Sequence, residues 1–273
     1  MRTIVHLSDL HFGRIDYRLL GPLVGAVERA APDVVAVSGD LTQRALPGEF
    51  REARAFLARL PGPQVVVPGN HDVPLTNFAA RLLWPLENWC RYIGDDLAPF
   101  YQDEEIAVAG VNTARALVWK GGRINRGQAG RVFDRLCTLN PKVIRIVVSH
   151  HPFDLPAGHP EGDLVGRARM AMDQFARCRA DIFLAGHLHV GYIAHTAERY
   201  RIHGHSALVV QAGTAISTRG RGEFNSFNVL RIAHPVVTVE RVVWQLPAAG
   251  ERGAFVASAG ERFARGGDAW VAL

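Results

Sequence analysis

Five short apolar runs in this chain each end in residues that can hold a metal or move a proton. Residues 3–8 lead into Asp9-Leu10-His11, and residues 33–38 into Gly39-Asp40. Residues 64–67, after Pro68, lead into Gly69-Asn70-His71-Asp72. Residues 143–149 lead into His150-His151-Pro152, and residues 181–185 into Gly186-His187-Leu188-His189. Six of the 12 histidines lie in these exits. Hard carboxylate oxygens mixed with borderline imidazoles suit Mn, Fe or Zn, and no thiolate takes part. A carboxylate can bridge two metals ~3.5–4 Å apart, and Asp40, alone between the other groups, suits that bridge. Asp9 and His11 can turn to one metal; His187 and His189 share their spacing and can be split between two. Asn70 adds a neutral oxygen that limits the negative charge.

Taken singly, each piece has a plainer reading. Gly-Asp after a strand is ordinarily a turn or helix cap, and Asn70 a turn residue. Asp9 and His11 read as a turn carboxylate and a surface imidazole. The recurrence of one grammar at five strand exits is what points to a metal site. Strand carboxyl ends in α/β sheets are where ligands gather.

The elements that must position these residues alternate. Apolar runs at 3–8, 33–38 and 64–67 read as buried strands, separated by helical spacing over 17–30 and 47–60. This opening implies parallel strands in a layered α/β fold. Residues 77–92 are helical but interrupted by Pro85, which predicts a kink or two short helices. A strand at 106–111, a helix at 127–139, a strand at 143–149, a helix at 164–177 and a strand at 181–185 follow. From Gly191 four alternating runs suggest an antiparallel second sheet. The chain reads as one domain over 1–247, with 75–95 an inserted cap or dimer contact. A tail over 248–273 is expected to run partly extended over the surface.

The exits as a set resemble the calcineurin-like metallophosphoesterases, in that family's order from residue 4 to about 190. The resemblance implies an α/β four-layer αββα sandwich, two mixed central β-sheets flanked by helices. It implies one metal on Asp9, His11, Asp40 and His189, and a second on Asp40, Asn70, His150 and His187. It makes His71 the catalytic histidine beside the phosphate, with Asp72 supporting its loop. His150 is taken as ligand because the family's ligand directly follows the strand; His151 is a neighbour or a substrate contact. The implied chemistry is attack on phosphorus by a metal-bridging hydroxide, with Mn or Fe as the leading metals and Zn the alternative. Ser8-Asp-Leu-His-Phe12, Val67-Pro-Gly-Asn-His-Asp72, Gln211-Ala-Gly-Thr-Ala215 and Asn225-Ser-Phe-Asn-Val-Leu230 are similar to small bacterial class III cyclic nucleotide phosphodiesterases. Cyclic nucleotides are therefore the default substrate class. Glycerophosphodiesters and phosphomonoesters are the alternatives, and a DNA nuclease or a non-catalytic scaffold stand further off.

The totals narrow the partners. A formal charge of +5 with scattered arginines fits a small anionic phosphoester better than nucleic acid, which favours clustered charge. The dense basic runs are 167–169 and 219–221. Arg123, Arg126, Arg219 and Arg221 sit in Gly-rich loops that could reach a phosphate. Three dispersed cysteines fit a reducing compartment. No run approaches the ~18 apolar residues of a membrane span, so a cytoplasmic protein is expected, with a homodimer through 75–95 open. His6, His159, His195 and His234 stand isolated. His203 and His205 read as a surface turn.

Overall fold

In a computed structural model, residues 1–156, 158–196, 199–200, 202, 205–220, 222–246, 253–267 and 269–273 are described. The sequence's alternation is realised. Strand β1 (Arg2–Leu7) leads to helix α1 (Leu20–Ala30), β2 (Val34–Ser38), α2 (Pro47–Leu57) and β3 (Gln64–Val67). The interrupted segment splits as Pro85 requires, into α3 (Phe78–Leu83) and α4 (Glu87–Tyr92). Then come β4 (Phe100–Gln102), β5 (Ile106–Val111), α5 (Arg126–Cys137), β6 (Ile144–Ser149), α6 (Ala168–Arg177) and β7 (Ile182–Ala185). Local chemistry sets the helix starts. Pro47 occupies the first turn of α2, where its missing N–H costs nothing. Asn125 caps α5 by accepting from Gln128 N at 2.9 Å.

Two mixed sheets result. In the second, β4, β5, β6 and β7 are followed by β9 (Leu208–Gln211) and β8 (Tyr192–His195). The first sheet contains β1, β2 and β3 in parallel, and beyond β1 the strands β10 (Ser226–Ala233) and β11 (Val236–Gln245). This corrects one expectation. The strands after Gly191 do not form a sheet of their own; β8 and β9 join the second sheet, and β10 returns to lie antiparallel to β1, with Val5 opposite Val229. The physical reason lies in β10, whose side chains are buried on both faces over its first five residues. Such a strand belongs in the interior of a covered sheet.

The tail also differs from expectation. It is extended, but paired: β12 (Ala254–Ala257) and β13 (Glu261–Gly266) both add to β11, and β14 (Ala269–Ala272) adds to β13. Phe255, Phe263 and Trp270 are buried there.

The period-2 alternation of each strand divides the core into three layers. Val5, Leu7, Val35 and Val37 face α1 and α2 on one outer side. Val147, Phe183 and Val209 face α5 and α6 on the other. Ile4, Val34, Ala36, Ile146, Val148 and Leu184 meet between the sheets. The molecule is thus the expected αββα sandwich. Among the described residues, no helix is long and apolar enough to cross a membrane.

Candidate metal centre

Packing the sheets face to face brings the C-terminal ends of β1, β2, β3, β6 and β7 to one edge. Backbone bonds lock the exits together: Asp9 N donates to Gly39 O at 3.1 Å, His11 N to Asp40 O at 2.9 Å, and Gly186 N to His150 O at 3.1 Å. The two sheets are stitched by His150 Nδ1 to Ser38 O, 2.8 Å, and by His187 N to Asp9 Oδ2, 3.0 Å. Gly39 must be glycine for this approach. Its φ is +86°, and a Cβ would come within 2.8 Å of Gly69 N and of His150 Cβ.

The exits are strained. Asp9, His11, Asp40, His187 and His189 all have left-handed backbones, with φ of 52°, 51°, 52°, 74° and 61°. Asp and His tolerate this region better than most residues, but each instance costs about 1 kcal/mol or more. Strain of this kind gathers where a fold forces side chains inward to a common point.

All seven residues expected at a metal site are buried. Asp9, His11, Asp40 and His189 form one group in which the ligand atoms lie within 4.8 Å of one another. His150, His151 and His187 form an adjoining one. Asp40 reaches both, with Oδ2 3.7 Å from His11 Nε2 and Oδ1 3.4 Å from His150 Nε2. Asn70 Oδ1 lies 3.1 Å from His150 Nε2.

Hydrogen bonding fixes which ring nitrogens point inward bare. Carbonyls only accept, so the protons sit on Nδ1 of His11 (to Thr42 O, 3.3 Å), His189 (to Arg219 O, 3.1 Å) and His150 (to Ser38 O). Their Nε2 lone pairs then converge. His11 Nε2 and His189 Nε2 face each other at 3.2 Å. Asp9 Oδ1 has no hydrogen bond and lies 3.1 Å from His189 Nε2, while Oδ2 accepts from Ser8 Oγ and His187 N. Lone pairs this close repel unless a cation or a proton lies among them, so the donor set fits metal ions. The electrostatics agree. Burial alone would raise the Asp40 carboxyl, but His150, His71 and His11 overcome it and hold it ionised. Burial alone would lower His150, but Asp40 wins and pushes it up to about 9. A metal entering the site displaces that proton.

His71 sits at the mouth. Its Nδ1 donates to Gln43 O at 2.8 Å, and Nε2 accepts from Arg219 Nη1 at 2.9 Å. Its backbone N donates to Asp40 Oδ1, 2.8 Å. Burial lowers its pKa, keeping the ring neutral. Asp72 accepts from Gly69 N, Leu41 N, Thr42 N and Thr42 Oγ1 at 2.9–3.2 Å, tying the β2 exit to the β3 exit. Its four accepted bonds hold the two exits together.

Other residues enter that spacing could not disclose. Arg219, of the four loop arginines, reaches His71; Arg221 lies outside the described residues, as does His203. Asp163 is buried, lies 3.7 Å from His187 Nε2, and takes Lys120 Nζ at 2.6 Å and His159 Nε2 at 3.1 Å. His187 first, and Lys120 after it, hold its carboxyl well below the usual range. His159 is therefore not isolated. His151 is turned into the second group, its Nδ1 2.8 Å from Thr113 Oγ1. His6 pairs with Ser38 Oγ at 2.8 Å beneath the site. Elsewhere His205 Nε2 bonds Ala180 O at 2.8 Å, and is half-buried rather than on the surface.

The chain is similar to known proteins. Glycerophosphodiester phosphodiesterase GpdQ of Enterobacter lignolyticus is 37% identical over 82 residues, 25% of this chain and 29% of that protein. A probable cyclic nucleotide phosphodiesterase of Synechococcus sp. is 27% identical over 90 residues, 29% of this chain and 35% of that protein. The matches thus span about a third of these relatives. Among solved structures, a purple acid phosphatase, PPD1, from yellow lupin superposes with a TM-score of 0.65 at 12% identity, over 94% of this chain and 53% of that one. Vps29 of Chaetomium thermophilum does so at 0.52 and 10% identity, over 97% and 98%. At such identities the likeness concerns the fold. The sequence model of the Calcineurin-like phosphoesterase family matches residues 2–191, from the first strand through the last histidine of the site, so the chain belongs to the calcineurin-like phosphoesterases.

Proposed function

We propose that the protein is a binuclear metal-dependent phosphodiesterase, with cyclic nucleotides as its first substrate class and glycerophosphodiesters as its second. The placement of Asp40 between two groups of inward-facing ligands carries this reading. Asp9, His11, Asp40 and His189 would hold one metal; Asp40, Asn70, His150 and His187 the other. Mn or Fe suits these oxygens and imidazoles, and Zn is also compatible. Metal ions bound there supply Lewis acidity and an activated water for attack on phosphorus.

The chain's own residues do the rest. Arg219, at the mouth, meets the phosphoryl oxygens and offsets their charge. His71 places its Nε2 beside them; the resting ring is neutral and Nε2 accepts from Arg219, so a proton would first be taken up from solvent at that atom, as Arg219 turns to the phosphoryl oxygens, and then pass to the leaving oxygen. Asp72 keeps the His71 and Asp40 loops in register. The names of the two curated relatives support phosphodiesters over monoesters.

Steady-state kinetics of the Mn-supplemented protein on cyclic nucleotides, glycerophosphodiesters and p-nitrophenyl mono- and diesters tests this. Diesters should be turned over with the higher kcat/KM. A preference for the monoester would make the protein a phosphomonoesterase. A metal-loaded sample inert to every ester would leave a binding role.

A further inference from the structure

A cavity of about 410 Å³ is lined by residues that neighbour the candidate site in the chain, a volume typical of small-ligand pockets. Val73, Pro85, Leu86, Ala114, Ala116 and Leu117 form its apolar wall. Three of the lining residues directly follow residues of the site or of its surroundings. Val73 follows Asp72. Ala114 follows Thr113, whose hydroxyl holds His151 Nδ1. Arg123, also in the lining, follows Gly122, which packs so closely on the His151 ring that a Cβ would overlap it.

The cavity offers few polar partners. Arg115 borders it, but its guanidinium is engaged with the carbonyls of Asn112 and Ala114 and with Gln128 Oε1. The wall is also braced. Arg81, only 2% exposed, donates to Ala116 O at 2.7 Å, Val118 O at 3.2 Å and Pro74 O at 2.9 Å. It fixes the 115–118 loop to the segment that precedes α3. Leu117 nonetheless stays 82% exposed at the edge of this cavity. Phosphoryl chemistry has no need of an apolar recess, whereas an ester group attached to the phosphorus would fill one.

We propose that this cavity receives an apolar ester group of the substrate, an alkyl chain or a flat ring, carried by the phosphoryl group at the metal centre. The inference rests on the phosphodiesterase reading and sets a diester with one apolar ester group ahead of the cyclic nucleotides and glycerophosphodiesters named there.

Two measurements on the Mn-loaded protein test it. Calorimetry would compare binding of methyl, butyl and octyl phosphate, and kinetics would compare p-nitrophenyl diesters bearing the same three groups. Affinity and kcat/KM should climb with chain length, by up to about fourfold per methylene until the cavity fills. Leu117→Asp and Ala116→Phe should flatten both series while leaving the methyl compounds unchanged. A flat series in the unaltered protein, or a slope that survives both substitutions, overturns the proposal. If the alkyl phosphates bind with the expected slope but no diester is cleaved, the cavity assignment holds and the phosphodiesterase reading falls.

Discussion

Asp40 holds two positions at once: its side chain faces both ligand groups, and Oδ1 also accepts from His71 N. Asp40→Ala should therefore abolish turnover and lower bound metal, measured by elemental analysis beside the kinetics. His71→Ala removes a ring outside both ligand groups, so turnover should fall by about 10²–10⁴-fold with metal content intact; stripping of the metals would refute the role given to His71. His6 offers a test by pH. Burial pushes its pKa down from 6.5 to about 3. As pH falls through that window, the unfolded chain takes up a proton here that the folded protein refuses, so stability is lost on acidification and is unaffected above it. His6→Leu should flatten the fall in Tm between pH 6.5 and 4; an unchanged slope would assign the acid sensitivity elsewhere. The inward-facing carboxylates and imidazoles were legible because they recur directly after buried strands. Asp163 was not, and Arg219 was only one of four candidate loop arginines, because each arrives from a loop whose path only the folded chain defines; nor was the tilt of His151, which depends on Thr113. The left-handed backbones at Asp9, His11, Asp40, His187 and His189 leave no mark in composition or spacing either.

At the scale of elements, the strands buried on both faces, such as β2 and β6, announced themselves as apolar runs. The final strands did not. β12 and β13 bury one residue each and expose most others, so their alternation is faint, and Gly and Ala dilute it further. Their contribution is nonetheless to the core: Phe263 lies in the layer between the sheets and meets His195 edge-on at 5.7 Å. Phe263→Ala should cost about 3–5 kcal/mol, read as a shifted denaturation midpoint. A change within about 0.5 kcal/mol would show the tail to be a surface appendage after all. Four-residue β9 and ten-residue β11 show the complementary error: each was visible as a strand, but β9 joins the second sheet by pairing with β7, and β11 joins the first through β10, which pairs with the distant β1.

At the scale of the whole molecule, the proposed metals would sit where the two sheets meet, with ligands drawn from both. A cation there joins the layers as well as serving chemistry, because it binds only the folded arrangement. Mn added at 100 times its dissociation constant should stabilise the protein by about 2.7 kcal/mol, and a chelator should lower Tm correspondingly. An unchanged Tm in the presence of Mn would mean that the converging lone pairs hold no ion.

The position of β10 has a consequence for how the protein is made. On a ribosome, β1 emerges before β2 and β3, yet its other flank stays open until Ser226–Ala233, strand β10, has been made. Until then a hydrophobic strand presents bare amides and carbonyls to its crowded surroundings, the condition under which nascent chains pair with one another. A chain halted after residue 191 would carry every proposed metal ligand and still lack the strand that seals them in.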